Sequence, residues 1–144
     1  MTRRSAPNRN DALVDKDGRA NLRFAQVIED LVEDVNDLGV LPINTQNNDY
    51  TLVIEDAGSI IRKTSSITNQ VYTIPANAVV EFDIGTGFEV QNDGSVAMSV
   101  AIITDTLTSE ADGTTGTRTI GPKGSAEFRK VTATEWKIRG QQLT

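Results

Sequence analysis

Gln70-Val71-Tyr72-Thr73-Ile74-Pro75-Ala76-Asn77-Ala78-Val79-Val80-Glu81-Phe82-Asp83 is the stretch that decides the fold class. Apolar and polar residues alternate on both sides of Pro75-Ala76-Asn77, which predicts strand, turn, strand. Pro75 pre-sets its own φ for the turn. In the second half Val80, Phe82 and Ile84 point one way and Glu81 and Asp83 the other, the pattern of a strand with one solvated face.

The same period extends outward in both directions. Upstream, Tyr50-Thr51-Leu52-Val53-Ile54-Glu55 ends at Asp56-Ala57-Gly58, and Ser59-Ile60-Ile61-Arg62-Lys63-Thr64 follows. Downstream, Phe88-Glu89-Val90-Gln91 leads to the turn Asn92-Asp93-Gly94. Residues 95–104 form the longest strand candidate, residues 110–116 read as a loop, and residues 123–132 and 134–139 close the chain. Strand candidates at a spacing of roughly 8–12 residues, with turn signals between them, predict an all-β sandwich or barrel. No helix-period segment interrupts residues 50–144, which argues against a βαβ fold. Trp136, between Glu135 and Lys137, is expected in the core or at an interface.

The front of the chain is different. Residues 1–19 hold Pro7, Asn8, Asn10, Asp11 and Gly18, which oppose regular structure, and read as an extended arm, which composition alone leaves equally as a disordered tail or as a peptide that orders against a partner. Residues 20–39 read as a helix, with Asn21 as N-cap and Gly39 as stop. Phe24, Ile28, Leu31, Val35 and Leu38 step by heptad spacing, with Val27 and Val32 beside them. The opposite face is acidic, through Glu29, Asp30, Glu33, Asp34 and Asp37. This stripe is either the docking face of a helix on its own domain or a seam between copies, and the acidic outer face favours the seam. β-branched residues at a with Leu at d nominally favour two strands in parallel coiled coils, so the pattern does not fix the copy number. Pro42 and the polar run Asn44-Thr45-Gln46-Asn47-Asn48-Asp49 make residues 40–49 a linker.

Composition narrows the function classes. The chain has 144 residues, 38% hydrophobic and 24% charged, with a formal net charge of −6. That length suits one domain plus an appendage. An acidic chain is repelled by a phosphate lattice, so nucleic acid is not an expected partner. No apolar run is long enough for a membrane helix, and the start lacks the apolar run of a secretory signal. Cysteine and histidine are both absent, which excludes Ser–His and Cys–His nucleophile systems and typical zinc sites. Asp15-Lys16-Asp17-Gly18 has part of a calcium loop, but Leu13 occupies the first ligand position and Phe24 the last. Glu81, Asp83 and Glu89 are the carboxylates to consider for glycoside hydrolysis, and their alternation with apolar residues places them on a solvated face instead. Gly85-Thr86-Gly87 and Asp112-Gly113-Thr114-Thr115-Gly116 lack the remaining positions of nucleotide-binding loops. No catalytic residue, cofactor or metal is expected, and the chain reads as no enzyme.

Taken in order, several short motifs are familiar: Asp56-Ala57-Gly58 with Ile60-Ile61-Arg62, Tyr72-Thr73-Ile74-Pro75-Ala76-Asn77, Phe82-Asp83-Ile84-Gly85-Thr86, Glu89-Val90-Gln91-Asn92 with Gly94, and Glu135-Trp136-Lys137-Ile138-Arg139-Gly140. The series resembles the β-domain of bacteriophage fibre and decoration proteins and covers roughly residues 50–140. Leu13-Val14-Asp15-Lys16-Asp17-Gly18-Arg19, followed by Phe24 and a short helix, is similar to the opening of phage tail-fibre and head-fibre proteins. The resemblance implies a homotrimer, anchored to the particle by its N-terminal segment and projecting a β-sandwich. Longer relatives continue into shafts and receptor-binding tips, while this sequence closes at Gln141-Gln142-Leu143-Thr144, so a short fibre, an adaptor or a capsid decoration is expected.

The resulting expectation is a mainly β chain. It has an antiparallel, jelly-roll-like β-sandwich over residues 50–144, a linker over 40–49, an oligomerising helix over 20–39 and a virion-anchoring arm over 1–19. Arg3, Arg4, Arg9, Leu13 and Val14 would bind a capsid, connector or tail protein. Phe24, Ile28, Leu31, Val35 and Leu38 would bundle the copies. Assembly would take place in the host bacterial cytoplasm, and the alternatives are a cement protein between capsomers or a module binding a host-surface glycan.

Overall fold

The structure, a computed structural model, describes residues 26, 27, 29–31 and 40–144. Gln26, Val27 and residues 29–31 are helical, and the side chain of Gln26 donates to Asp30 one turn on. The rest of the expected helix and the expected arm lie outside the described residues. The chain divides into two units, Met1–Val40 and Leu41–Thr144.

The second unit is mainly β, a single sheet curled into a half-barrel. Nine strands are found among the described residues: β1 (Ile43–Thr45), β2 (Tyr50–Thr51), β3 (Ile60–Lys63), β4 (Val71–Ile74), β5 (Gly87–Asn92), β6 (Met98–Ile102), β7 (Thr106–Ser109), β8 (Arg118–Thr132) and β9 (Glu135–Leu143). A 3-10 turn spans Ile54–Asp56.

The antiparallel jelly-roll arrangement expected from the sequence is not what these strands form. β1, β3 and β5 pair in parallel, and so do β2, β4 and β6. The chain thus alternates between two parallel ribbons and winds through them in three successive coils. Among the described residues, antiparallel pairing enters with β8 and β9, apart from an isolated bridge between Thr108 and Thr115. β8 runs back along the third coil, pairing with β5 through Ser125–Arg129 and with β6 through Arg118–Ile120, and β9 returns along β8. β7 lies parallel to β9. A bulge between Ile120 and Ser125 lets the long strand bend where the β5–β6 connection turns its corner. Gly124 permits the bend, because a Cβ there would lie 2.8 Å from the carbonyl oxygen of Gln141.

Three further expectations are corrected. Residues 78–83 are not a strand: the chain turns at 77–80, where the carbonyl of Ala76 takes the N–H groups of both Val79 and Val80, and 81–83 continue as an irregular loop. Residues 52–55 leave the sheet after only two strand residues and enter the 3-10 turn. Residues 43–45, inside the expected linker, are a sheet strand, since Ile43 registers with Ile60 and Thr45 with Arg62.

The alternation read from the sequence otherwise sets the core. Ile61, Tyr72, Ile74, Phe88, Val90, Met98, Val100, Ile120, Phe128, Trp136 and Ile138 all point inward and are buried. Phe88 stacks on its registered partner Phe128 at 4.7 Å, and Trp136 packs edge-on against Phe82 and Phe88. Fully burying one such ring contributes roughly 1.5–3 kcal/mol.

Polar side chains staple the stacked corners. Asn47 Oδ1 accepts the N–H groups of Thr64 and Ser65, each at 2.9 Å. Gln70 Nε2 donates to the carbonyls of Gln46 and Asn48. The Lys63 amine, fully buried, donates to Ser65 O and Val96 O, and burial pushes its pKa down. Asn92 Nδ2, also fully buried, donates to the carbonyls of Val96, Ile120 and Gly121. A buried carbonyl left without a donor costs about 1–3 kcal/mol. Asn92→Ala is therefore expected to lower the unfolding free energy by about 2–4 kcal/mol, measured by denaturant titration. A loss below about 1 kcal/mol would show that the corner is held by something else.

The tyrosines give a pH test. Tyr72 is wholly buried and donates to Gln46 O at 2.5 Å, and burial raises its pKa far above the phenol range. Tyr50 is raised as well, first by burial and then by its bond to Asp56. The unfolded chain releases these protons near pH 10, while the folded chain retains them. Stability from this source is complete below about pH 10 and declines above it. Phenolate absorbance is expected to appear together with loss of far-ultraviolet strand signal in an alkaline titration, not before it.

Candidate interaction surface

The coil has a closed end and an open end. β8 and β9 cover the third coil, whereas among the described residues β1 and β2 each have a sheet neighbour on one side only. The first coil is held from within by Asp56, a buried carboxylate on the 3-10 turn. Its two oxygens accept from Asn44 Nδ2 at 2.8 Å, the Tyr50 hydroxyl at 2.9 Å and the Val53 N–H at 2.9 Å. These bonds tie β1, β2 and the turn into one unit and fix which way the outer edge of β1 faces.

Among the described residues no strand pairs with that edge. The Pro42 carbonyl accepts from Ile60 and the Gln46 N–H donates to Arg62, so even-numbered residues present their main-chain groups to β3. Those of Ile43 and Thr45 face outward. Pro42 therefore lacks its N–H on the inner side and leaves the free edge intact. Residues 41–48 carry no charge, and charges are a common means of blunting an edge. Leu41 is 55% and Ile43 62% exposed, and Val53 and Ile54 of the same coil are exposed too.

A shallow cavity of about 290 Å³ begins at Leu41 and crosses Gly58 and Gly87 toward Glu127, Arg129 and Arg139. Glu89, Glu127 and Arg139 lie in register across β5, β8 and β9. Arg139 clasps Glu127 Oε2 through Nε at 2.8 Å and Nη2 at 2.6 Å, and this bond raises the guanidinium pKa. Lys137 lies 3.0 Å from Glu135, whose carboxyl is held below the usual range by that bond and by the Thr108 hydroxyl. Hydrogen bonds from Thr114 do the same for Asp112. Of these, Glu127–Arg139 is a solvated cross-strand pair in the lining of the cavity that begins at Leu41, whereas Glu135–Lys137 lies within β9 and Asp112–Thr114 within a loop.

The other sequence candidates are dispersed. Glu81 and Asp83 lie exposed on a loop, while Glu89 stands on β5 and accepts from Gln91. No group of three or more carboxylates suited to a metal occurs among the described residues, and no helix among them is long and apolar enough to cross a membrane. Trp136 and Tyr72 are buried and Tyr50 is half-buried, so no described aromatic ring offers a sugar-stacking platform. Leu31 is helical and 53% exposed. Phe24, Ile28, Val35 and Leu38, together with Arg3, Arg4, Arg9, Leu13 and Val14, lie outside the described residues.

Sequence reasoning missed Asn44, Asp56, Lys63, Asn92 and Lys130. A signal existed for three of them. Lys63, Asn92 and Lys130 occupy the inward parity of their strands, in line with Ile61, Val90 and Phe128, and a polar residue there must be satisfied inside.

Ile43→Lys is expected to change unfolding free energy by less than about 0.5 kcal/mol, whereas Ile61→Lys one strand inward should abolish the cooperative transition. Comparable losses in thermal melts of the two variants would show that Ile43 is covered. Comparison with protein-family models, with curated proteins and with solved structures finds no match for this chain.

Proposed function

We propose that this chain is a non-enzymatic structural protein of a bacteriophage particle. It acts as a trimeric short or adaptor fibre, held to the head or head–tail connector by residues 1–19 and assembled in the host cytoplasm. The observation that carries an assembly role is the open first coil, a neutral strand edge with Leu41 and Ile43 exposed, directly after the heptad stripe that ends at Leu38. Binding sites for small molecules gather apolar surface in a concave pocket around a few convergent polar groups. Here the exposed apolar residues lie on an edge suited to another chain. The bacteriophage assignment rests on the ordered motifs of residues 50–140 and on Leu13-Val14-Asp15-Lys16-Asp17-Gly18-Arg19.

A cement protein seated between capsomers would use the same edge and is the second reading. A glycan-binding role is less well supported, because the described rings are turned inward.

Light scattering on the full chain is expected to give ~47 kDa, three times the 15.6 kDa of one copy. Leu31→Asp should weaken that assembly, and Ile43→Lys should weaken it without unfolding the β unit. A monomer at all concentrations overturns the trimer. Deleting residues 2–19 should abolish incorporation into particles, and unchanged incorporation overturns the anchoring role.

A further inference from the structure

Two lysines are enclosed by the sheet, Lys63 at 0% and Lys130 at 2% exposure, and neither forms an ion pair among the described residues. Their surroundings differ in one respect. The Lys63 amine meets only main-chain carbonyls. The Lys130 amine donates to Phe82 O at 2.8 Å and to the side-chain carbonyl of Asn77. The oxygen that accepts this bond is attached directly to the Asn77 side-chain amide carbon, so the bond brings Nζ up to the amide group that carries that carbon. The Trp136 ring centroid lies 5.8 Å from Nζ, and Phe82 packs edge-on against that ring. Asp105 fixes the main chain of Asn77 by accepting its N–H at 3.0 Å.

We propose that Lys130 and Asn77 join in an intramolecular isopeptide bond. In its neutral form Nζ has a lone pair and attacks the Asn77 side-chain carbonyl carbon. The C–Nδ2 bond breaks, a proton from Nζ passes to the departing nitrogen, and one ammonia leaves. No oxidant, reductant or further reactant is consumed. Asn77 is half-buried, which gives the ammonia a way out. The product nitrogen keeps a single hydrogen, and Phe82 O is already placed to accept it. The driving context is the enclosure itself: an ammonium buried without an anion is costly, and the amide removes that charge permanently. The resulting bridge would tie the β4–β5 loop to β8 across 53 residues of chain, closing a long loop covalently as a disulfide would in a protein that has no cysteine.

The test is mass spectrometry on the folded full chain. The intact mass should fall short of the sequence mass by one ammonia. A tryptic digest after denaturation should contain residues 64–118 joined to residues 130–137, with no cleavage after Lys130, while cleavage after Lys63 proceeds normally. Lys130→Arg and Asn77→Ala should each restore the full expected mass. Separate 64–118 and 131–137 peptides overturn the proposal. So does an ammonia loss that persists in Lys130→Arg, which would mark cyclisation of an asparagine instead. The digest of the unaltered chain decides the matter even if a variant fails to fold.

Discussion

The bend of β8 is the constraint on which the rest of the fold depends. Two parallel ribbons have no reason to stay together unless some strand pairs with both. β8 does so by running antiparallel to β5 and β6 in succession, with its bulge facing the connection between them. The glycine at position 124 keeps that corner narrow, and β9 copies its path on the other side. The hydrophobic cluster draws residues from both ribbons and from β7, β8 and β9, so the core closes only once the bent strand is in place. Parallel pairing joins residues far apart in sequence, and loop-closure entropy is lost before those contacts form. The local β8–β9 hairpin, with its two-residue turn at Ala133-Thr134, is the element best placed to form early.

Burial of polar groups is concentrated where the coil turns. A parallel coil must reverse direction at every corner, and each reversal leaves main-chain groups that no strand can satisfy. Asn47, Gln70, Lys63 and Asn92 supply the missing partners at one end of the coil, and Asp56 and Lys130 at the other. These residues contribute little apolar burial. What they contribute is a unique register, because a slip of one residue would turn each of them outward and bring its neighbour in.

Much of the strand content was legible in the sequence, because alternation reports burial on one face whatever the partner strand is. Ile61, Tyr72, Ile74, Phe88, Val90 and Trp136 fall inside as their parity requires. Pairing direction was not legible, since period 2 is common to parallel and antiparallel ladders. Residues 78–83 alternate like a strand, but the chain turns at 77–80 where Ala76 accepts two N–H groups, which alternation does not register. β1 escaped notice for the opposite reason: its inward residue is Asn44, polar because it serves Asp56. The Lys130–Asn77 contact links positions that only the winding of the coil brings together. The expected arm and most of the heptad residues lie outside the described residues, so there the sequence speaks alone.

The asymmetry of the coil has a consequence for how such a chain can vary. Among the described residues the coils pair with one another in sequence through the same two ribbons, and the third is closed by β8. An extra turn of chain added ahead of β1 would find the same neighbours that β1 and β2 offer now and would leave the core around Trp136 untouched. An insertion after β6 would separate the third coil from β8 and open that core. The architecture is therefore extensible in one direction only, as in repeat proteins with a single cap, and its reach can be lengthened at the entry without redesign of the closing strands.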